Sequence, residues 1–63
     1  MESWQQRVII EQRELRDKLD KLAAFIHSAK FDVLDTVNQQ WLRMQWLVMD
    51  MYNDILQERI KAF

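Results

Sequence analysis

The chain has 63 residues and no cysteine, which limits it to one domain and excludes disulfides and thiolate metal sites. Its ten acidic and nine basic residues give a net charge of −1, so it lacks the basic excess that non-specific nucleic-acid binding requires. It also contains neither Gly nor Pro, which argues against β-hairpins and against the glycine loops that bind phosphates and dinucleotides.

The first predicted helix spans about residues 3–28. Ser3 and Gln6 have the spacing of a capping box, in which each side chain accepts a hydrogen bond from the backbone N–H of the other residue. Apolar residues then recur at steps of three, four and seven, which is the pattern of a helix with one buried face. They are Trp4, Val8, Leu15, Leu19, Leu22 and Ile26. The opposite face is charged, and residues four apart, such as Asp17 and Lys21, are expected to form exposed ion pairs.

The connection is predicted over about residues 29–35. Phe31 and Leu34 are expected to fold back and close the end of a helical hairpin. Asp35 is the expected N-cap of the next helix, with Asp32 as the alternative, because a carboxylate accepts hydrogen bonds from the free N–H groups of a helix start.

The second predicted helix spans about residues 36–63 and runs antiparallel to the first, since the connection is short. Residue i of one helix should then face roughly residue 65 − i of the other. Between Trp41 and Leu56 the second helix is apolar nearly all round, whereas a helix with one partner needs only one apolar stripe. The predicted core face consists of Trp41, Gln45, Val48, Tyr52 and Ile55, widened by Leu42, Met49, Leu56 and Phe63.

The apolar surplus of the second helix predicts self-association. Met44, Trp46, Leu47 and Met51 lie away from the predicted core face and form the predicted oligomer interface. The alternative role for Trp46 is a stacking platform for a ligand. The predicted fold class is therefore all-α: an antiparallel two-helix hairpin, forming one domain over residues 1–63, that assembles into a homo-oligomeric helical bundle.

No constellation of catalytic residues occurs in the sequence, so we expect no enzyme, no metal site and no cofactor. His27 is the one histidine, and its position at the expected end of the first helix is typical of a residue that favours the helix dipole. The longest apolar run in the second half covers residues 46–49, far short of the roughly 20 residues of a membrane-spanning helix. The N-terminus lacks the basic and then apolar pattern of a signal peptide. These features predict a soluble, cytoplasmic protein.

A line of polar residues borders the predicted core face of the second helix. Gln45, Tyr52 and Arg59 recur every seven residues and are called the polar seam below. The first helix carries a matching polar line, formed by Arg7, Glu11, Glu14, Lys18 and Lys21. One interpretation is a network of salt bridges and hydrogen bonds that sets the register of the helices. The other is a pocket for a small anion at a subunit boundary, in which basic side chains bind phosphate and an aromatic ring stacks on a base.

A wider set of residues recurs along the chain at fixed spacing. In the first half and the connection it consists of Trp4-Gln5-Gln6-Arg7-Val8, Glu11, Glu14-Leu15, Lys18-Leu19, Lys21-Leu22, Phe25-Ile26, Phe31 and Leu34. In the second half it consists of Leu42, Gln45, Met49, Tyr52, Ile55-Leu56, Arg59-Ile60 and Phe63. This pattern resembles that of small bacteriophage proteins with the helical-hairpin domain of anti-CBASS and anti-Thoeris cyclic-nucleotide sponges, and the resemblance covers nearly the whole chain.

The resemblance implies a homo-oligomer, often a hexamer, that acts in the host cell cytoplasm. Such proteins bind cyclic oligonucleotide or cyclic ADP-ribose-type signals of bacterial defence systems and sequester them without catalysis. The positions that match implied ligand contacts are Arg7, Lys18, Tyr52 and Arg59. The alternative hypothesis is a structural or protein-binding hairpin that docks on a host or phage protein. Neither DNA nor a membrane is an expected partner, because the charge is balanced and no polar face is basic.

Overall fold

The structure, a computed structural model, describes residues 2–63 and contains three helices. They are α1 (Ser3–Ile26), α2 (Ala29–Asp32) and α3 (Thr36–Lys61). The hairpin measures 46 × 14 × 13 Å, the dimensions of α1 and α3 packed side by side. No strand occurs between residues 2 and 63, so the prediction of an all-helical chain is confirmed. None of the helices described is long and apolar enough to cross a membrane.

The N-terminus of α1 is capped by Glu2 rather than by Ser3. Glu2 is extended, with φ −68° and ψ 150°, and its backbone N–H donates to the side-chain oxygen of Gln5 at 2.8 Å. The predicted capping pair of Ser3 and Gln6 is therefore wrong by one residue, because Ser3 already has helical geometry. The same local chemistry, an amide side chain that satisfies a free backbone donor, operates one residue earlier.

α1 ends at Ile26, two residues before the predicted limit, because Ser28 starts a new helix. The Ser28 hydroxyl donates to the Phe25 carbonyl at 2.6 Å and accepts from the Phe31 backbone N–H at 3.4 Å. Such local side-chain bonds compete with continuation of a helix. The predicted connection therefore contains a short helix, α2, that the sequence pattern did not indicate.

The side chain of Phe31 closes the end of the hairpin, as predicted. Phe31 is buried, and its ring meets Phe25 edge to face with ring centroids 6.3 Å apart. Its backbone carbonyl accepts from Gln39 Nε2 at 3.0 Å, which links α2 to α3. Leu34, three residues after Phe31, is half-buried. Asp35 is the N-cap of α3, as predicted, but its carboxylate accepts from the side-chain amide of Asn38 and not from a backbone N–H of the helix. α3 ends two residues before its predicted limit.

The register of α1 against α3 follows the rule that residue i faces residue 65 − i. Gln12 Nε2 donates to Asn53 Oδ1 at 3.0 Å across the hairpin, and these two residues are the pair that the rule expects to face each other. Asn53 is only 1% exposed, so this hydrogen bond lies inside the packed interface. The buried apolar residues are Val8, Leu15, Leu19, Phe31 and Leu56. The predicted antiparallel register is confirmed.

α3 is rotated about its axis relative to the prediction. Its inward face consists of Leu42, Trp46, Met49, Asn53, Leu56 and Ile60, all buried or half-buried. Trp41, predicted to be core, is 63% exposed, and Val48 and Ile55 are exposed as well. Asn53 favours this rotation, because its side-chain oxygen accepts a hydrogen bond from Gln12 inside the interface, and one such polar pair can select which faces of two helices meet.

Replacing Asn53 by leucine is expected to cost about 1–3 kcal/mol of unfolding free energy, because the Gln12 carboxamide loses its partner while it stays part-buried. The double variant Gln12→Leu/Asn53→Leu removes both polar groups and is expected to regain most of that loss, with a weaker preference for one register. Urea unfolding of both single variants and the double variant, analysed as a double-mutant cycle, measures the coupling. If the unfolding free energy lost by the double variant equals the sum of the losses of the two single variants, the pairing of Gln12 with Asn53 is contradicted.

Candidate functional site

The polar seam of α3 and the polar line of α1 border one groove along a single side of the hairpin. Each seam residue directly precedes a residue of the inward face of α3, as Tyr52 precedes Asn53. Each residue of the polar line likewise precedes a residue of α1 that faces α3, as Lys18 precedes Leu19. In two right-handed helices that run antiparallel, positions directly before the core lie on the same side of the pair. We call this side the seam groove.

The seam groove brings some of the four proposed ligand contacts together and separates others. Arg7, Lys18, Tyr52 and Arg59 are all exposed. By the register of the hairpin, Arg7 and Arg59 lie at the same level near the chain termini. Tyr52 lies about 10 Å further along the helix axis and Lys18 about 18 Å further, at 1.5 Å per residue. One hairpin therefore presents these residues as a row along a groove rather than as a closed pocket.

Three of the four cations of the seam groove form no ion pair inside the hairpin, whereas Lys21 pairs with Asp17, and the groove also carries the carboxylates of Glu11 and Glu14. The salt bridges found within residues 2–63 are Arg16–Asp20, Asp17–Lys21 and Glu58–Lys61. Each of them joins two residues of the same helix, and none includes Arg7, Lys18 or Arg59. Gln45 of the seam donates to the Met49 sulfur at 3.9 Å, which is also a contact within α3. Among residues 2–63, the side-chain hydrogen bond observed between α1 and α3 is the one between Gln12 and Asn53, so Arg59 of the seam is left to solvent.

α3 carries a second apolar face opposite its inward face. Six apolar residues, each more than half exposed, recur there at steps of four and three; we call them the outer stripe. They are Val37, Trp41, Met44, Val48, Met51 and Ile55. The outer stripe is about 27 Å long at 1.5 Å per residue. Its heptad spacing is that of a helix face that packs against another helix.

The predicted oligomer interface falls only partly on the outer stripe. Met44 and Met51 belong to it, and Leu47 is exposed beside it. Trp46 is half-buried and faces α1 instead. Because α3 is rotated relative to the prediction, Trp41 lies on the outer stripe, where Trp46 was expected. Trp46 faces α1, where Trp41 was expected.

A cavity of about 170 Å³ lies between α1 and α3 near the connection. It is lined by Ala23, Ile26, His27, Arg43 and Trp46, and we call it the Trp46 cavity. The Arg43 guanidinium carbon lies 5.0 Å from the centroid of the Phe31 ring, a cation–π contact that holds the charge at this end of the hairpin. The indole N–H of Trp46 is buried and has no hydrogen-bond partner within residues 2–63.

Sequence reasoning did not connect the basic residues of the Trp46 cavity. Arg43 lies on α3 and His27 is the C-cap of α1, but each directly follows a residue that faces the partner helix, as Arg43 follows Leu42. That position places both on the side of the hairpin opposite the seam groove, and this spacing is the signal that could have found them. Across residues 2–63 no group of His, Cys, Asp or Glu is arranged to hold a metal ion.

Comparison with known proteins gives two matches. The Sequestin family model matches residues 2–62. A protein of Enterobacteria phage T4, described as an uncharacterized 7.5 kDa protein in the denB-rIIB intergenic region, is 36% identical over 63 residues. The alignment covers 100% of this chain and 98% of the phage T4 protein, so the likeness extends over both helices. No solved structure matches the chain.

Proposed function

This chain belongs to the Sequestin family of small phage proteins, and we propose that it is an anti-defence protein that sequesters a cyclic nucleotide immune signal without catalysis. The ligand class in this proposal is a cyclic oligonucleotide or a cyclic ADP-ribose-type molecule. Binding alone suffices for such a function, because a messenger that is held by an abundant protein does not reach its effector.

The observation that carries the proposal is the row of cations in the seam groove. Arg7, Lys18 and Arg59 form no salt bridge within residues 2–63, and Tyr52 stands in the same row. A guanidinium group offers two parallel donors to a phosphate, an ammonium group adds a point charge, and a tyrosine ring gives a base a face for stacking. This combination fits an anion that carries both phosphates and bases.

The proposed active form is a homo-oligomer, with a hexamer as the expected assembly. The outer stripe supports this, because six exposed apolar side chains on one helix are more than a folded monomer of this size is expected to leave in water. Tyr52 and Arg59 lie between the inward face and the outer stripe of α3. Association through the outer stripe therefore brings the seam grooves of neighbouring copies to the subunit junctions, where two rows of contacts can close around one ligand.

Native mass spectrometry tests the proposal most directly. The purified protein is measured alone and with a panel of cyclic dinucleotides, cyclic trinucleotides and cyclic ADP-ribose isomers. We expect a defined oligomer that gains ligand mass in stoichiometric steps with one member of the panel. An oligomer that stays bare against the whole panel would count against the proposed ligand class.

Arg59→Ala and Tyr52→Ala are expected to leave the proposed oligomer intact and to weaken binding of the ligand found in that panel. The loss is expected to be about tenfold or more for Arg59→Ala, because a charge-assisted contact to phosphate is worth roughly 1.5–3 kcal/mol. Isothermal titration calorimetry measures both affinities. The matched control is Arg13→Ala, which removes an exposed arginine of α1 outside the seam groove. Full affinity in both seam variants would show that the ligand binds elsewhere.

The outer stripe also favours a second candidate function, a hairpin that docks on a host or phage protein. In that case the outer stripe binds the partner protein and the polar seam has no ligand. A protein that is monomeric or dimeric, binds no nucleotide of the panel, and captures one defined partner from infected cells would favour this candidate.

A further inference from the structure

We infer that the Trp46 cavity is a second ligand site, which binds the base and phosphate of a single nucleotide unit. This site lies on the side of the hairpin opposite the seam groove. In it the indole of Trp46 and the side chains of Ala23 and Ile26 contact the base, while Arg43 and His27 at the rim contact the phosphate.

The size of the cavity sets the size of the ligand. A cavity of roughly 150 Å³ is enough to hold a benzene ring. The Trp46 cavity, at about 170 Å³, therefore accommodates one flat ring system but not a whole cyclic dinucleotide. Its walls combine an aromatic side chain with two small aliphatic ones, which is the composition that binds planar ligands in pockets between helices.

The charge of the lining sets the charge of the ligand. Arg43 and His27 are exposed at the cavity, and no carboxylate is among the five lining residues. Arg43 forms no salt bridge within residues 2–63. Its guanidinium rests against the face of the buried Phe31 ring, so its position is set before a ligand arrives, and the N–H groups at its edge remain free to donate. A flat ring attached to an anionic group fits these walls and this rim, which is the chemistry of a nucleotide.

The unpaired indole N–H of Trp46 is a third observation in favour of a ligand. A buried N–H without an acceptor is unfavourable, and native structures normally provide one. Protein atoms cover this N–H in the single hairpin, so in this proposal the ring turns to present it to the base, and no hydrogen bond within residues 2–63 has to break for that turn. The ring atoms that accept hydrogen bonds on a purine or pyrimidine are suitable partners for this donor.

Nuclear magnetic resonance of the unmodified protein tests the site. Its three tryptophans give three indole N–H signals, and the Trp46→Phe variant identifies the one that belongs to Trp46. Adenosine 5′-monophosphate, adenosine and ribose 5-phosphate are titrated separately. We expect the monophosphate to shift the Trp46 signal most, adenosine to shift it with about tenfold lower affinity, and ribose 5-phosphate to leave it in place. Equal shifts of all three indole signals, or no shift with the monophosphate, would overturn the site.

Two substitutions then test the contacts, each with a matched control. Arg43→Gln is expected to weaken binding of adenosine 5′-monophosphate about tenfold, whereas Arg13→Gln leaves it unchanged. Trp46→Phe is expected to weaken binding about fivefold, because phenylalanine has no N–H and a smaller face, whereas Trp4→Phe at the other end of the hairpin leaves it unchanged. Full affinity in both Arg43→Gln and Trp46→Phe would also overturn the site. Neither result depends on whether the protein binds a cyclic signal in the seam groove, so the two proposals fail separately.

Discussion

Val48→Glu is expected to dissociate the proposed homo-oligomer into folded hairpins. Val48 lies in the middle of the outer stripe and is 64% exposed in the single hairpin, so a glutamate at this position is solvated there and the fold is retained. Between two copies the same carboxylate becomes buried without a partner, which costs several kcal/mol. We expect the dissociation constant to rise at least about 100-fold, since each 1.4 kcal/mol corresponds to a factor of ten.

Sedimentation velocity and circular dichroism measure the two parts of this expectation separately. The matched control is Val33→Glu, which places the same charge on a valine that is also exposed but lies in the connection, outside the outer stripe. An oligomer that survives Val48→Glu with unchanged mass would show that the outer stripe is not the surface between copies.

Leu56→Ala is expected to unfold the hairpin. Leu56 is fully buried, with 0% of its surface exposed, and it packs with Val8 and Leu15 where the two helices meet. Such a truncation costs about 2–5 kcal/mol, and a core of this size supplies no more than about 3–5 kcal/mol of stability. The variant is therefore expected to lose most of its helical signal at 25 °C when it is measured as dilute protein.

Circular dichroism at 222 nm and thermal unfolding check this expectation. Ile10→Ala is the matched control, because it also shortens an aliphatic side chain but at an exposed position of α1. Equal helicity and equal melting temperatures for Leu56→Ala and Ile10→Ala would show that the described core does not hold the hairpin together.

The features that were predictable from the sequence depend on local chemistry and on chain length. Asp35 takes the N-cap position of α3 because a short polar residue suits the start of a helix, and Phe31 is buried because a short connection has to close the hairpin with its largest apolar side chain. The register of 65 − i follows from where the connection falls, and the bond between Gln12 and Asn53 conforms to it.

The rotation of α3 was not predictable by the same means. A helix that is apolar nearly all round gives no single direction for its core, so the choice between Trp41 and Trp46 rests on one hydrogen bond between residues 41 positions apart. Apolar periodicity places asparagine outside, yet Asn53 is inside because Gln12 satisfies it there. The basic rim of the Trp46 cavity was missed for a related reason, since Arg43 and His27 meet only once α3 has this rotation.

The exposed row of Arg7, Lys18, Tyr52 and Arg59 was predictable in part. Spacing indicated that the polar seam and the polar line border the same groove. It also placed Tyr52 on the core face, whereas the observed rotation of α3 puts Tyr52 directly before the buried Asn53 and leaves it exposed. It did not indicate that about 18 Å separates Lys18 from the two arginines along the helix axis, a distance that follows from the register.

The arrangement of contacts along the hairpin also sets an order of folding. At the connection, Phe25 meets Phe31 and Phe31 meets Gln39, contacts that close loops of only six and eight residues. At the other end, the rings of Trp4 and Phe63 touch with centroids 5.1 Å apart, although nearly the whole chain separates them in sequence. Short loops cost the least entropy to close, so we expect the hairpin to form from the connection towards the termini. The contribution of Trp4 to the fluorescence of the three tryptophans is then expected to report the final step of folding and to change first when the hairpin frays.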